Sequence, residues 1–423
     1  MDAAKVLAAL CRLVESPVFS QSPRLRRFLE YTVESTLAGR PEELKEYSIG
    51  LSVFDRQESF DPRLDPIVRV EAGRVRQKLA RYYESLGRAE KIRIELPKGS
   101  YVPQFTHHVA RPSGTSPYRL YLKGRHHWNQ RTEDGLREAI RLYEQAIELD
   151  PGYALAWAGL ADAHALLGNY GVIPRSEVIG PALHAARRAV ELAPALAESH
   201  TSLGHLLATY DWDWQEAERE FELAVDLNPY FATAHHWYAI TCLMPQRRLD
   251  EARVEIAEAQ TLEPCSVSIA RDAGIVDWCR RDVAGALQNA RRTVELDPGF
   301  HEAHWIQGLA LEQKGDFNAA AVAFAKGIAI RRTARLEGAL GHALGAAGRI
   351  GEARAMIDRL ASRPGYVSPF DPAIVWLGLG EAGRAFDELD RARAQRCYEL
   401  VWVRVDPRLD PLRGDTRFES LLA

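Results

Sequence analysis

The sequence predicts a mainly α protein in two parts: a small N-terminal module of helices with a β wing, then an all-α superhelical solenoid. Three observations lead there. At 423 residues the chain is too long for one ordinary domain, and 46% hydrophobic content is ample for packed cores. Between Asp65 and Phe105 a basic amphipathic stretch, DPIVRVEAGRVRQKLARYYESL, is followed by KIRIELPKGSYVPQF, which alternates and turns like a short two-stranded hairpin. From residue 118 onward, small residues recur with a period near 34 residues.

The N-terminal elements follow in order. Residues 2–15 read as a helix with Val6, Leu7, Leu10 and Leu13 on one side. Its acidic residues and its short apolar run, VLAAL, make it an amphipathic helix and not a signal peptide. SPRLRRFLEYTVESTLAG gives a second helix, with Leu25, Phe28, Leu29, Thr32, Val33 and Thr36 as its stripe and Gly39 as its end. KEYSIGLSVFD is a shorter apolar segment. FDPRLDP then breaks the chain, and Asp65 as N-cap with Pro66 in the first helical position opens the basic helix. On a helical wheel Val68, Ala72, Val75, Leu79, Tyr82 and Leu86 form the buried stripe. After Gly87, the alternation Ile92, Ile94, Leu96 predicts a strand; PKGS turns it, and YVPQF returns.

Charge marks one surface of this module. The net charge of −4 divides into +3 over residues 1–110 and −7 over the rest, and residues 63–98 hold ten basic against five acidic side chains. A basic cluster on an acidic chain points to a single polyanion-facing surface. The exposed arc of the basic helix carries Arg69, Gly73, Arg76, Gln77 and Ala80, with Arg74, Lys78 and Arg81 further round. Small residues between long cations let a helix approach closely. Gln77 can pair with a base edge, and arginines can clamp phosphates or guanine. A cationic helix followed by a wing is the layout of a winged helix-turn-helix. The candidate DNA-binding set is Arg69, Arg74, Arg76, Gln77, Lys78, Arg81, Arg93 and Lys98.

RVRQKL, a strand, and then KGSYVPQF resemble the recognition helix and wing of OmpR-type winged-helix regulators over about 80 residues. Val75, Arg76, Lys78 and Leu79 match that family's LRxKL-like motif, and Gly99 and Tyr101 partly match its wing ending. The resemblance implies that Arg76 contacts DNA, that Lys98 is a wing contact, and that Val75, Leu79 and Tyr101 are core. It also puts Ile49–Phe54 in the positioning helix. The chain departs from the family in two places: a helix stands where N-terminal strands usually precede the first helix, and SVFDRQESFDPRLD is longer than a tight turn. The combination also resembles regulators of the CadC sort, in which such a module is joined to a sensor through a membrane helix. Here the junction THHVARPSGTSP (106–117) is short and polar, with no room for a span.

In the array, Ala139, Ala182, Ala217, Ala252, Ala286, Ala320, Ala353 and Ala385 anchor successive units. Four residues after six of them comes a larger residue, and seven after each comes another mostly small one, such as Phe221 and Ala224, giving one helix face that must pack closely. Pro151, Pro194, Pro229, Pro264 and Pro298 punctuate helix ends. Trp157 with Leu160, Leu203-Gly204 and Trp305 mark the partner helices. Period and pattern are similar to the tetratricopeptide repeat (TPR) family, with eight units over roughly 118–397. The resemblance implies a TPR superhelical solenoid whose concave face binds a peptide or protein. The expected divisions are 1–105, a linker at 106–117, the array at 118–405 and a capping tail at 406–423. A widened spacing between Ala139 and Ala182 marks an insertion around 168–180, read either as a binding-edge loop or as a tolerated surface loop. His126-His127, His235-His236 and His301 with His304 lack a third ligand in reach, so no metal site is expected. Trp128, Trp237 and Trp305 beside them read as helix-packing residues.

Five scattered cysteines without a CxxC pair fit a reducing compartment. No P-loop, HExxH or G-x-S-x-G is present, and the two parts use nearly the whole chain, so neither an enzyme nor a cofactor is expected. The leading expectation is a soluble, cytoplasmic transcriptional regulator. Its partners would be DNA and a protein, peptide or ligand on the array, with no membrane and a possible homodimer. The alternative is a scaffold in which both parts bind protein.

Overall fold

The computed structural model describes residues 3–16, 18–19, 22–57, 59–84, 86–87, 90, 92–107 and 116–422. The linker expected at 106–117 falls mainly on 108–115, outside the described residues. Packing divides the chain into two units, 1–119 and 120–423.

In the first unit α1 (Ala3–Glu15), α2 (Pro23–Leu37), α3 (Glu46–Phe54) and α4 (Ile67–Glu84) precede two short antiparallel strands, β1 (Ile92–Glu95) and β2 (Gln104–His107), paired Ile92 to His107 through Glu95 to Gln104. Their apolar stripes meet in one core, with Leu13, Phe28, Ile49, Val75, Leu79 and Ile94 among its members. Each large side chain so buried contributes about 1.5–3 kcal/mol. The Ile94 amide donates to the Tyr83 hydroxyl at 2.7 Å, which ties β1 to α4.

Three details differ from the sequence reading. Leu7 is 40% exposed, while Ala9 and Val14 are buried on that helix together with the expected Val6, Leu10 and Leu13. Leu86 is 61% exposed because α4 stops at Glu84, before the stripe reaches it. Asp65 does cap α4, accepting from the Ile67 amide at 3.1 Å, but Pro66 stands just ahead of the helix.

The second unit contains eight helix pairs. They are α5 (Pro117–Asn129) with α6 (Glu133–Leu149), α7 (Ala154–Asn169) with α8 (Arg175–Leu192), α9 (Ala197–Leu206) with α10 (Trp214–Leu227), and α11 (Ala232–Trp237) with α12 (Leu249–Leu262). Then follow α13 (Val267–Cys279) with α14 (Val283–Leu296), α15 (Glu302–Gln313) with α16 (Phe317–Ile330), α17 (Ala334–Ala346) with α18 (Ile350–Ala361), and α19 (Phe370–Gly378) with α20 (Ala382–Ala394). All eight anchor alanines lie on the second helix of a pair with no exposed surface. A larger side chain there would hold neighbouring helices apart. The helices before Pro151, Pro194, Pro229, Pro264 and Pro298 end two residues short of each proline, since the residue ahead of proline disfavours helical backbone.

Within every pair the first helix ends at a left-handed residue: Arg131, Gly171, Trp212, Arg247, Arg281, Gly315, Gly348 or Gly380. A left-handed residue just past a helix end lets its amide satisfy the last carbonyls, and glycine adopts that conformation without strain. Arg131, Trp212, Arg247 and Arg281 adopt it without being glycine.

The insertion is neither an edge loop nor a free surface loop. It forms a short turn at 170–174 and lengthens α8 at its start, where Arg175 is 2% exposed. Two first helices also change pitch: α9 continues as a π-helical turn over Leu207–Asp211, and α11 as another over Tyr238–Leu243.

After α20 come 3-10 turns at Tyr398–Trp402 and Pro407–Leu412, and α21 (Thr416–Leu422). Leu409, Leu412, Phe418 and Leu421 pack on Phe370, Phe386 and Leu389 of the last pair and so cover the end of the stack. Among the described residues no helix is long and apolar enough to cross a membrane.

Candidate nucleic-acid interface and superhelix interior

On α4, Arg69, Gln77, Ala80 and Arg81 are exposed, with Gly73 on the same face. A Cβ added to Gly73 would meet nothing within 4 Å, so no close neighbour in this chain requires glycine there. Arg69 donates to the Pro62 carbonyl at 2.9 Å and lies 3.8 Å from Glu46. Arg74 pairs with Glu71 of its own helix at 2.9 Å. Arg93, half-buried on β1, lies over the Tyr83 ring at 5.4 Å. Lys98 is exposed in the hairpin turn beside Gly99, whose φ of +78° suits glycine.

Arg76, placed on the exposed arc by the wheel, and Lys78, placed further round, turn inward instead. The Arg76 guanidinium donates to the Leu96 carbonyl at 2.9 Å and to the Pro97 and Ser100 carbonyls at 3.0 Å each. Burial lowers its pKa from the usual arginine value. It holds the hairpin turn against α4. Lys78 donates to the Val18 carbonyl and lies 5.8 Å from the Phe19 ring, and burial, then the nearby Arg81, lowers its pKa. The wheel gives the angle at which a side chain leaves the helix, but a long side chain can bend back toward carbonyls the wheel does not contain.

The interior of the repeat array is partly filled by its own chain. Arg175 donates to the carbonyls of Arg396 at 2.9 Å and Thr209 at 2.8 Å, and its guanidinium lies 3.7 Å from the Tyr210 ring. Arg396 donates to the Tyr210 carbonyl at 2.8 Å, and Trp402 Nε1 to the Ile240 carbonyl at 2.8 Å. The accepting carbonyls of Thr209, Tyr210 and Ile240 all lie in the two π-helical turns. Those turns replace regular i to i+4 bonding, which leaves carbonyls able to accept side chains. Tyr398, Val401, Trp402 and Val405 join the same hydrophobic core as Tyr143, Trp237, Ile256 and Phe324. Residues 396–405 therefore occupy space inside the array that the sequence reading left to a partner. Nothing in the period announces this, because these residues lie beyond the last helix pair.

Polar side chains pair between neighbouring helices in register. His200 Nδ1 lies 2.6 Å from Glu220, and its Nε2 lies 2.9 Å from the Pro194 carbonyl. His235, Glu255 and Pro229 repeat the arrangement one unit on, at 2.6 and 3.1 Å. His236 pairs with Asp272 at 2.7 Å, both buried. Among the described residues no group of histidine, cysteine and carboxylate side chains is placed to hold a metal. Trp128, Trp237 and Trp305 are buried, and the first two rings are 6.1 Å apart.

The tetratricopeptide repeat model matches residues 121–171, 271–334 and 339–404, so the helix pairs of the second unit include tetratricopeptide repeats. The transcriptional regulator HilA of Salmonella typhimurium is 26% identical over 145 residues, which are 34% of this chain and 26% of that protein. HilA of Salmonella typhi matches to the same extent. The aligned part thus spans about a quarter of these relatives. Among solved structures, the human IFIT1 dimer with m7Gppp-AAAA aligns at a TM-score of 0.52 and 14% identity, covering 92% of this chain and 93% of that one. The APC/C hetero-tetramer Cut9-Hcn1 aligns at 0.50 and 16% identity, covering 82% and 58%. At these identities the likeness concerns the repeat fold alone.

Proposed function

We propose that this chain is a transcriptional regulator that binds DNA through its first unit and is controlled through its repeat array. In this reading the first unit is an OmpR-type winged helix-turn-helix: α3 positions, α4 recognises, and the β1–β2 hairpin is the wing. The observation that carries it is the open face of α4, where Gln77 stands between the small residues Gly73 and Ala80 with Arg69 and Arg81 alongside. Such a face can approach a major groove closely and reach both base edges and phosphates. The match to a protein named as a transcriptional regulator supports it. The chain acts by binding and carries out no catalysis, and it works in the compartment that holds DNA.

Arg69, Arg74, Arg81 and Lys98 are the phosphate contacts, Gln77 is the base reader, and Arg93 is a flanking cation. Arg76 and Lys78 serve the module's own architecture. Four phosphate contacts give a log–log salt slope of about −3 to −4. One small module seldom binds tightly alone, so two copies on paired half-sites are expected.

The test is selection of bound genomic fragments with the full chain, compared with Gln77→Ala and with Arg81→Ala/Lys98→Ala. Retention by the native chain, loss of sequence preference in the first variant and uniformly weaker binding in the second are expected. No retained DNA would reject this reading. It would leave a scaffold that binds protein through both units, which the inward use of Arg76 and Lys78 favours.

A further inference from the structure

The chain segment inside the repeat array does not fill it completely. A cavity of about 350 Å³ remains, bounded by Arg131 and Tyr170 on one side, by 300–302 and 331–335 on another, and by 363–366, Asp371 and Glu399. A smaller recess, also lined by Arg131, Tyr170 and Arg335, extends it toward His205 and Asn169. The larger space is within the size range of small-molecule sites, about 300–1,000 Å³, and far exceeds the roughly 30 Å³ share of one water.

Its charges do not balance. Arg335 is engaged by Glu302 at 3.1 Å and Glu399 at 3.5 Å. Arg332 and Arg363 both pair with Glu337, at 3.5 and 2.7 Å. Among the described residues the side chains of Arg131 and Arg331 make no hydrogen bond or ion pair, only their backbone amides donating, to the Trp128 and Gly327 carbonyls. Arg131 lies 3.5 Å from the Trp128 ring on left-handed backbone, and Arg331 is exposed at the rim. The remaining carboxyl groups do not offset them. Glu133 pairs with Arg137 at 3.0 Å, and burial together with Glu399 pushes the Asp371 pKa up, favouring its uncharged form.

A second, independent observation lies in the recess. His205 is 2% exposed, and burial pushes its pKa down to about 3, so the ring is neutral. Asn169 Nδ2 lies 3.1 Å from His205 Nε2, and Asn169 Oδ1 is itself buried without a partner. Nδ1 is buried and has no partner. A ring nitrogen and an amide oxygen without partners line the same recess of about 30 Å³ as the unpaired Arg131 guanidinium, which also faces the larger cavity. Leaving such groups unmatched is costly: the recess has room for about one water, and in the larger cavity an anionic oxygen would satisfy Arg131.

We propose that the interior of the repeat array is a binding site for a small organic anion, a phosphate ester or a carboxylate, held by Arg131 and drawn in past Arg331. This goes beyond the DNA-binding reading and does not depend on it. The occupied concave side favours a small molecule over a peptide at this place.

The experiment follows thermal unfolding of the full chain titrated with glucose 6-phosphate, inorganic phosphate and citrate, against glucose and sodium chloride at matched ionic strength. At least one anion should raise Tm saturably while glucose leaves it unchanged, and the phosphate and citrate arms separate the two chemistries. Arg131→Gln should weaken the apparent Kd about tenfold or more, and the exposed Arg331→Gln a few-fold, as expected for losing a charge-assisted contact. If none of the three anions shifts Tm beyond the salt control, or if both variants bind as tightly as the native chain, the proposal is overturned.

Discussion

The Arg76 guanidinium donates to the Ser100 carbonyl at 3.0 Å, joining α4 to the hairpin turn across 24 residues of chain. With its bonds to Leu96 and Pro97 it saturates three carbonyls that would otherwise need water. Arg76→Ala should therefore destabilise the first unit by about 1.5–3 kcal/mol, the range for hydrogen bonds to a charged group. Amide hydrogen exchange at Ile92–Glu95 reads this directly. Unchanged protection there would show that the hairpin does not need the arginine. DNA affinity should fall as well, but only as far as the turn loosens, so a DNA-contact test belongs on Arg81 and Lys98.

Gly73 separates stability from binding. In a helix interior glycine is less stable than alanine by about 0.5–1 kcal/mol, and this one has open space beside it. Gly73→Ala should raise the unfolding midpoint of the first unit and weaken DNA retention. A protein-only scaffold would show the first effect without the second.

Trp402 is 6% exposed and anchored to the Ile240 carbonyl. Trp402→Ala should cost about 3–5 kcal/mol, the usual range for removing a large buried aromatic. Urea unfolding followed by tryptophan fluorescence measures it. A loss below about 1 kcal/mol, the typical surface range, would mean that the returning segment adds little to the array.

His200 gives a pH signature. Its bond to Glu220 raises its pKa above the ordinary 6.5, so the stabilisation is complete below 6.5 and is lost as pH rises through the raised value. Glu220→Gln should thus destabilise the array more at pH 6 than at pH 9. An equal loss at both pH values would show that His200 stays neutral throughout.

The repeats were legible because their packing is periodic: a small residue is required at the same place on every second helix, and eight alanines record it. The hydrophobic order of the first unit was legible for the same reason, apart from Leu7 and Leu86 at helix edges. Arg76 and Lys78 were misplaced because a wheel carries no carbonyls from other elements. The returning segment was invisible because Arg396 and Trp402 are bound by backbone carbonyls, which every sequence possesses and no composition reveals. His205 is a related case, since only coordinates show that its second nitrogen lacks a partner.

Residues 396–405 also change how the array can assemble. An open solenoid grows by neighbours, each unit resting on the one before, and it tolerates loss of its last member. Here Arg175 meets Arg396 and Ile240 meets Trp402, contacts spanning 221 and 162 positions along the chain. Such distant contacts slow folding and make it all-or-none. Early units cannot complete their core until the last ones are available, so a chain interrupted before residue 396 would present a hollow array with unmet carbonyls, a client for chaperones and proteases in place of a shorter working protein.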